Sequence, residues 1–349
     1  MMKRRTFLKS ICCGAASASI LDDPIGRPAL ADDVIRQVEF MNAQTMRAIR
    51  NGLTYLAKRQ SEDGAFGKNE YRRNVAICGL SGMAFLANGS VPGRGENGEN
   101  LNRCVDFIVH HGQESGFICA SEGASRGPMY GHGFATLFLA EVYGMSRNEQ
   151  VRETLAKAVR LIVDTQNDAG GWRYEPRRLD ADISVTVCLV MALRAARNAG
   201  LFVPNRTIDH AVGYVRRCQN TDGGFIYQAN VPDESEFARS AAALVALYGA
   251  GIYEGDEIRQ CLEYLTKRPP RANDSAQQYY YYGHYYAVQA MWFAGGKHWR
   301  TWYPAIRGVL LDQQRRDGSW YDKINPEYGT AMAVLILHMP SSYLPIFQR

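Results

Sequence analysis

One short punctuation mark recurs along this chain. "QSEDGAF" begins at Gln60, "QESGF" at Gln113, "QNDAGGW" at Gln166, "QNTDGGF" at Gln219 and "QRRDGSW" at Gln314. The first four glutamines are spaced by 53 residues each. Gln219 to Gln314 is 95, which fits two shorter units with a worn copy between them, "LTKRPPRANDSAQQ" at 265–278. A period of this length marks a supersecondary unit used repeatedly, and it narrows the fold more than any composition figure.

Each copy follows an amphipathic segment such as "VRETLAKAVRLIVDTQ" (151–166), whose Leu155, Val159, Ile162 and Val163 fall at helical spacing. Each precedes a segment that is apolar on nearly every side: "FATLFLAEVYG" (134–144), "SAAALVALYGAG" (240–251) and "TAMAVLILHM" (330–339). A helix with a polar face belongs outside; one without it must be enclosed. Six such units predict an all-α fold, an α/α toroid, or (α/α)6 barrel, of about twelve helices in an inner and an outer ring. A closed ring suits this better than an open solenoid, which would want polar terminal repeats, because the last inner segment is as apolar as the others.

The punctuation itself reads as a clasp. Gln166 falls at the end of an outer helix, where carbonyls lack partners and a side-chain amide can serve them. Gly170 or Gly171 reverses the chain at positive φ, and Trp172 then folds back as an apolar plug. These motifs resemble the "QW" repeats of squalene and oxidosqualene cyclases and the related repeats of protein prenyltransferase β subunits. The resemblance covers residues from about 40 to 340 and implies the toroid fold; it is far less specific for activity.

The start of the chain is a separate matter. "KRRTFLKS" sets Arg4 and Arg5 ahead of Phe7 and Leu8, a mild apolar run follows, and "ALADD" offers small residues at Ala29 and Ala31. The segment resembles a twin-arginine export signal over residues 1–31, leaving one toroid over 32–349 and predicting a periplasmic or other extracytoplasmic destination. Its apolar run is shorter than the roughly 20 residues a membrane span needs. Removing it takes five basic and two acidic residues away and lowers the net charge from +5 to +2. A nearly neutral chain gives no reason to expect nucleic acid as a partner. Six cysteines remain (78, 104, 119, 188, 218 and 261), and the sequence leaves open whether they pair or stay as buried thiols.

In a toroid the inner helices begin at one mouth, so the polar residues there are the site candidates. They are Asn74 after Arg72 and Arg73, His132, Asp180 and Asp182, Glu236 and Arg239, His284, and Tyr328. "YYYYGHYYAVQAMW" (279–292) adds Tyr282, Tyr285 and Trp292 as aromatic lining. Asp182 can cap a helix, contributing about 1 kcal/mol. A carboxylic acid above an apolar cavity can also donate a proton.

Class II terpene cyclases carry a D-x-D-D motif whose middle acid protonates an alkene. The segment Asp180-Ala181-Asp182-Ile183 is similar, with Asp182 at that position and Ile183 in place of the last acid. The resemblance therefore implies catalysis from Asp182, and the helix starts add Asp180, His132 and His284 as catalytic candidates beside it. Arg239, Glu236, Tyr282, Tyr285, Tyr328 and Trp292 would line a central cavity for an isoprenoid or other apolar substrate. The zinc ligands of protein prenyltransferases would include a D-x-C, and a thioester toroid would need G-C-G-E-Q. Neither string occurs, so neither a metal nor a cofactor is expected. Two other readings stay open. One is a carbohydrate-active barrel using the pair Asp182 and Glu236 with Arg72, Arg73, Arg173 and Arg239; the other is a non-catalytic binding or scaffold toroid. Oligomeric state is not legible.

Overall fold

The computed structural model describes residues 40–120, 127–271, 279–341 and 343–348. The expected export signal, and residues 272–278 of the worn repeat, lie outside them. Twelve α-helices are present among the described residues: α1 (Ala43–Arg59), α2 (Val75–Ala87), α3 (Gly98–His110), α4 (Pro128–Val142), α5 (Gln150–Asp164), α6 (Ile183–Asn198), α7 (Asn205–Arg217), α8 (Phe237–Gly249), α9 (Asp256–Thr266), α10 (Tyr280–Ala294), α11 (Gly296–Gln313) and α12 (Pro326–His338). Extended pairing is limited there to four isolated bridges.

The even-numbered helices form the inner ring, each packed on the next, and α12 closes the circle against α2. Their composition requires this: every residue of α12 after Pro326 is buried, and every residue of α2 except Ala76. The odd-numbered helices bury only a stripe. In α7 it is Thr207, Ile208, Ala211, Val212, Tyr214 and Val215, the spacing of one helical face.

The clasps join neighbouring outer helices. The Gln166 side-chain amide donates to Gly170 O at 2.8 Å and to Thr207 O of α7 at 2.9 Å. Gln60 reaches Asn100 O of α3, Gln219 reaches Glu257 O of α9, and Gln314 reaches Ala48 O of α1, which closes the outer ring. Gly170 (φ 91°) could not be another residue, since a β-carbon there would stand 2.2 Å from His210 O of α7. Trp172 and Trp320 are buried and donate their indole N–H to Ile162 O and Leu310 O. The Gln166 and Gln314 clasps thus each add three hydrogen bonds, about 1 kcal/mol apiece, and one buried tryptophan. The six cysteines are free thiols, five buried and Cys119 half-buried. No helix among the described residues is long and apolar enough to cross a membrane.

Candidate functional site

Asp182 ends the α5–α6 loop and begins α6. Its backbone N–H bonds Trp172 O at 2.9 Å, and its Oδ1 accepts the Val185 N–H at 2.9 Å as an N-cap. The neighbouring α7–α8 loop is pinned to the same place: Ile183 N–H donates to Tyr227 O, and Gln228 Nε2 and the Tyr214 hydroxyl both donate to Ala181 O. This brings the Tyr227 side chain to the acid. Asp182 is fully buried, and its Oδ2 has no hydrogen-bond partner among the described residues; Arg173 Nε stands 4.0 Å away.

Burial pushes the Asp182 carboxyl up to about 6, against the Val185 amide, Arg173, the Ser184 amide and the Tyr227 hydroxyl, all of which favour the anion. An acid so placed holds its proton in slightly acidic solution and can give it up near neutrality. Arg173 also pairs with exposed Asp180, and its guanidinium lies 5.3 Å over the Tyr174 ring and 5.8 Å over Tyr227. Arg239 lies 5.9 Å from the Tyr227 ring and is held by Asp233 and Glu236. Burial also raises the Glu236 carboxyl, opposed by Arg239.

Aromatic side chains run from this mouth into the ring. Helices α4 and α10 stand opposite one another, yet Tyr130 meets Tyr282 at 6.4 Å and, a turn deeper, Phe134 meets Tyr285 at 6.5 Å. The Tyr282 hydroxyl donates to Ser184 O, next to the acid. Tyr328, on α12, acts electrostatically on Tyr282 and Tyr286, and burial raises all three phenols. At these two levels rings from opposing inner helices approach one another across the axis, Tyr130 and Tyr282 staying partly accessible. Two surface hollows lie away from the axis, one lined by residues of α9 and Lys297 and His298, the other by Asp63, Arg73 and residues of α3.

Both histidines turn away from the mouth. His132 is buried with Nδ1 accepting the Ile118 N–H at 3.1 Å and Nε2 facing Ala158 O of α5 at 3.3 Å, and burial pushes it down to about 4. It ties the second clasp to its inner helix. Thr186 and Thr330 accept the N–H of Trp172 and Trp320, and Ser240 accepts that of Phe225, in the same manner. His284 is the corresponding residue of the worn repeat. It packs on Phe237 at 5.0 Å, Tyr280 at 4.5 Å and Trp302 of outer helix α11 at 6.0 Å, and burial pushes it down to about 3. Neither ring faces Asp182, so the expectation of histidines beside the acid is corrected.

Trp292 is corrected too. It lies about 15 Å along α10 from Tyr282, at the other end of the ring, and donates to Phe347 O. The structure thus gathers Asp180, Asp182, Glu236, Arg239 and Tyr282 at one mouth, with Tyr328 at the level of Tyr282 and Tyr285 a turn deeper. Sequence reasoning missed Tyr174 and Tyr227. The signal was available: each stands eight residues after its clasp glutamine. Among the described residues no three His, Cys, Asp or Glu side chains cluster as a metal site requires.

Solved structures share this architecture. A variant of the type II terpene cyclase MstE from Scytonema, in complex with geranylgeranyl dihydroxybenzoate, aligns with a TM-score of 0.61 at 14% identity, covering 86% of this chain and 98% of that one. The same cyclase without ligand gives 0.59 at 16% identity, over 86% and 99%. An inactive α-1,6-mannanase of Salegentibacter, in complex with α-1,6-mannotriose, gives 0.61 at 8% identity, over 84% and 98%. At these identities the likeness is one of fold. No curated protein matches the chain in sequence. The family model of the prenyltransferase alpha-alpha toroid domain matches residues 6–119 and 128–277, most of the chain. The chain belongs to the prenyltransferase α/α toroid family.

Proposed function

We propose that this is an exported enzyme that protonates an isoprenoid, or a similar apolar alkene, from Asp182 and lets the resulting cation cyclise. The observation that carries the reading is the buried Asp182 carboxyl, pushed up to about 6, with one oxygen committed to the α6 cap and the other turned to Arg173 at 4.0 Å and to the Tyr227 side chain. That oxygen carries the transferable proton. Transfer to the alkene leaves a carboxylate and a tertiary carbocation; ring closure moves the charge along the substrate, and loss of a proton from the product ends the sequence with no net change in atoms. Tyr130, Tyr174, Tyr227 and Tyr282 supply ring faces near the acid, and cation–π attraction is the means by which an apolar site steadies such a charge. Arg173 holds the ionised acid after transfer. The Scytonema cyclase, whose complex holds a geranylgeranyl compound, supports the reading as a neighbour in fold.

The carbohydrate reading keeps one supporting observation. The rim around Asp182 is polar, with Asp180, Asp233 and Tyr174 exposed, and the mannanase shows that the architecture also serves glycans. Incubation of the mature protein with polyprenyl alcohols and with α-mannan, followed by mass spectrometry of products, separates the two. Cyclised isomers are expected, and Asp182→Asn is expected to stop their formation while the protein stays folded. Release of sugars without cyclised product would transfer the site to the second reading. Export rests on Arg4 and Arg5: replacing both with lysine is expected to leave the precursor in the cytoplasm.

A further inference from the structure

The end of the ring remote from Asp182 is stopped by the segment 343–348, held by its backbone. The Ile346 N–H donates to the Glu141 carboxyl of α4, Trp292 Nε1 of α10 donates to Phe347 O at 3.2 Å, and an Arg194 Nη of α6 donates to Gln348 O at 2.7 Å. Ile346 and Phe347 are buried, Phe347 lying 6.3 Å from the Tyr285 ring, whereas Tyr343 is exposed. Beneath this strap several buried polar atoms have no hydrogen-bond partner among the described residues: Glu141 Oε2, Arg194 Nη1, Gln289 Oε1 and both nitrogens of His338. His338 stands at the same repeat position as Arg194 and Trp292, eight residues after Thr330, Thr186 and His284 respectively. A permanent core rarely leaves so many polar atoms unmet in one place.

The charges point the same way. Burial raises the Glu141 carboxyl to about 8, so it is largely neutral at pH 7 and leaves Arg194 as a cation. Arg194 makes no salt bridge among the described residues; it holds the strap carbonyl and lies 5.4 Å from the Phe293 ring, with Tyr253 and Glu141 acting on it electrostatically. A half-buried guanidinium of this kind favours an anion.

The geometry points to a second binding site, for an apolar carboxylate of the fatty-acid type, that the strap fills in this structure: Ile346 and Phe347 take the place of the ligand's chain, and the Gln348 carbonyl the place of its carboxylate on Arg194. A short segment fastened by three apolar side chains, Leu344, Ile346 and Phe347, and three backbone bonds can open locally without unfolding the ring. The site is independent of proton donation by Asp182, so Asp182→Asn is expected to leave it intact, and loss of turnover would say nothing about it.

The test uses the full chain with Ile346→Ser and Phe347→Ser, and the anionic apolar dye 1-anilinonaphthalene-8-sulfonate as probe. The loosened variant is expected to bind the dye about tenfold more tightly than the unaltered protein, while still unfolding cooperatively. Dodecanoate should displace the dye at lower concentration than dodecanol, and Arg194→Gln should remove that preference. Equal dye binding by the two proteins, or equal displacement by acid and alcohol, overturns the proposal. Should the double variant lose cooperative unfolding, Phe347→Ala alone carries the same comparison. If both lose it, the strap is part of the core and the proposal falls.

Discussion

Asn74 and Asn325 begin α2 and α12 as Asp182 begins α6, and mechanically the three residues do one job. Each accepts backbone N–H groups of its helix's first turn through a side-chain oxygen, and each is buried. An amide does this without carrying charge, so two of the three repeats use the inexpensive solution. The third places a carboxylic acid there and burial raises it to about 6. The fold asks for an oxygen at these positions, not for an acid. Under the proposed function the acid at α6 holds a proton beside the aromatic rings of the mouth, which the amide caps of α2 and α12 have no means to do.

The largest effect that could break this comparison is catalytic. Asp182→Asn keeps the capping oxygen and removes the proton, and the loss of a positioned acid is expected to lower turnover by about 10²–10⁴-fold. Product formation measured alongside circular dichroism checks it. A variant that keeps its turnover would reduce Asp182 to a cap like the other two.

The next effect is on stability, with the opposite sign. The folded carboxyl titrates near 6, above its ordinary 3.8, so its contribution is fully present below about pH 4 and is lost as pH rises through 6. That rise corresponds to about 3 kcal/mol. Asp182→Asn is therefore expected to match the unaltered protein near pH 4 and to exceed it by up to that amount at pH 8, read as Tm across the range. The reverse exchange sharpens the point: Asn74→Asp places a second buried acid at an inner-helix start. It is expected to lose about 1 kcal/mol at pH 8 and nothing near pH 4, because the helix N-terminus offsets part of the burial. It should bring no activity.

How much of this was legible beforehand follows from the range of the interactions. The clasps were readable because glutamine, glycine and an aromatic sit within seven residues, and their partners recur with the period. Asp182 was readable as both cap and acid because both meanings are local. His132 was misread because its partners, Ile118 N and Ala158 O, lie 14 and 26 residues away and come from a clasp loop and an outer helix. The period held the answer: Cys78, His132, Thr186, Ser240, His284 and Thr330 form one series at the start of the inner helices, and a series that includes a thiol, hydroxyls and imidazoles is serving the fold. The approach of Tyr130 to Tyr282 and of Phe134 to Tyr285 across the axis was not readable, since it depends on the diameter of the ring. Nothing local in the sequence states that diameter.

The smallest expected effect tests whether the acid's surroundings, and not burial alone, set its proton affinity. Arg173 stabilises the anion of Asp182 from 4.0 Å and at the same time neutralises Asp180. Arg173→Gln removes a positive charge and frees a negative one, and both changes favour the protonated acid. The limb of the pH–rate profile that reports ionisation of Asp182 is expected to move to higher pH by about half a unit to one unit. In Asn74→Asp the new acid stands at the start of α2, two inner helices away from α6, so the same arginine substitution should leave its pH-dependent stability unchanged. A shift to lower pH in the Arg173 variant would mean that the guanidinium acts on the substrate and not on the acid, and the cap at α6 would then differ from those at α2 and α12 by its carboxyl alone.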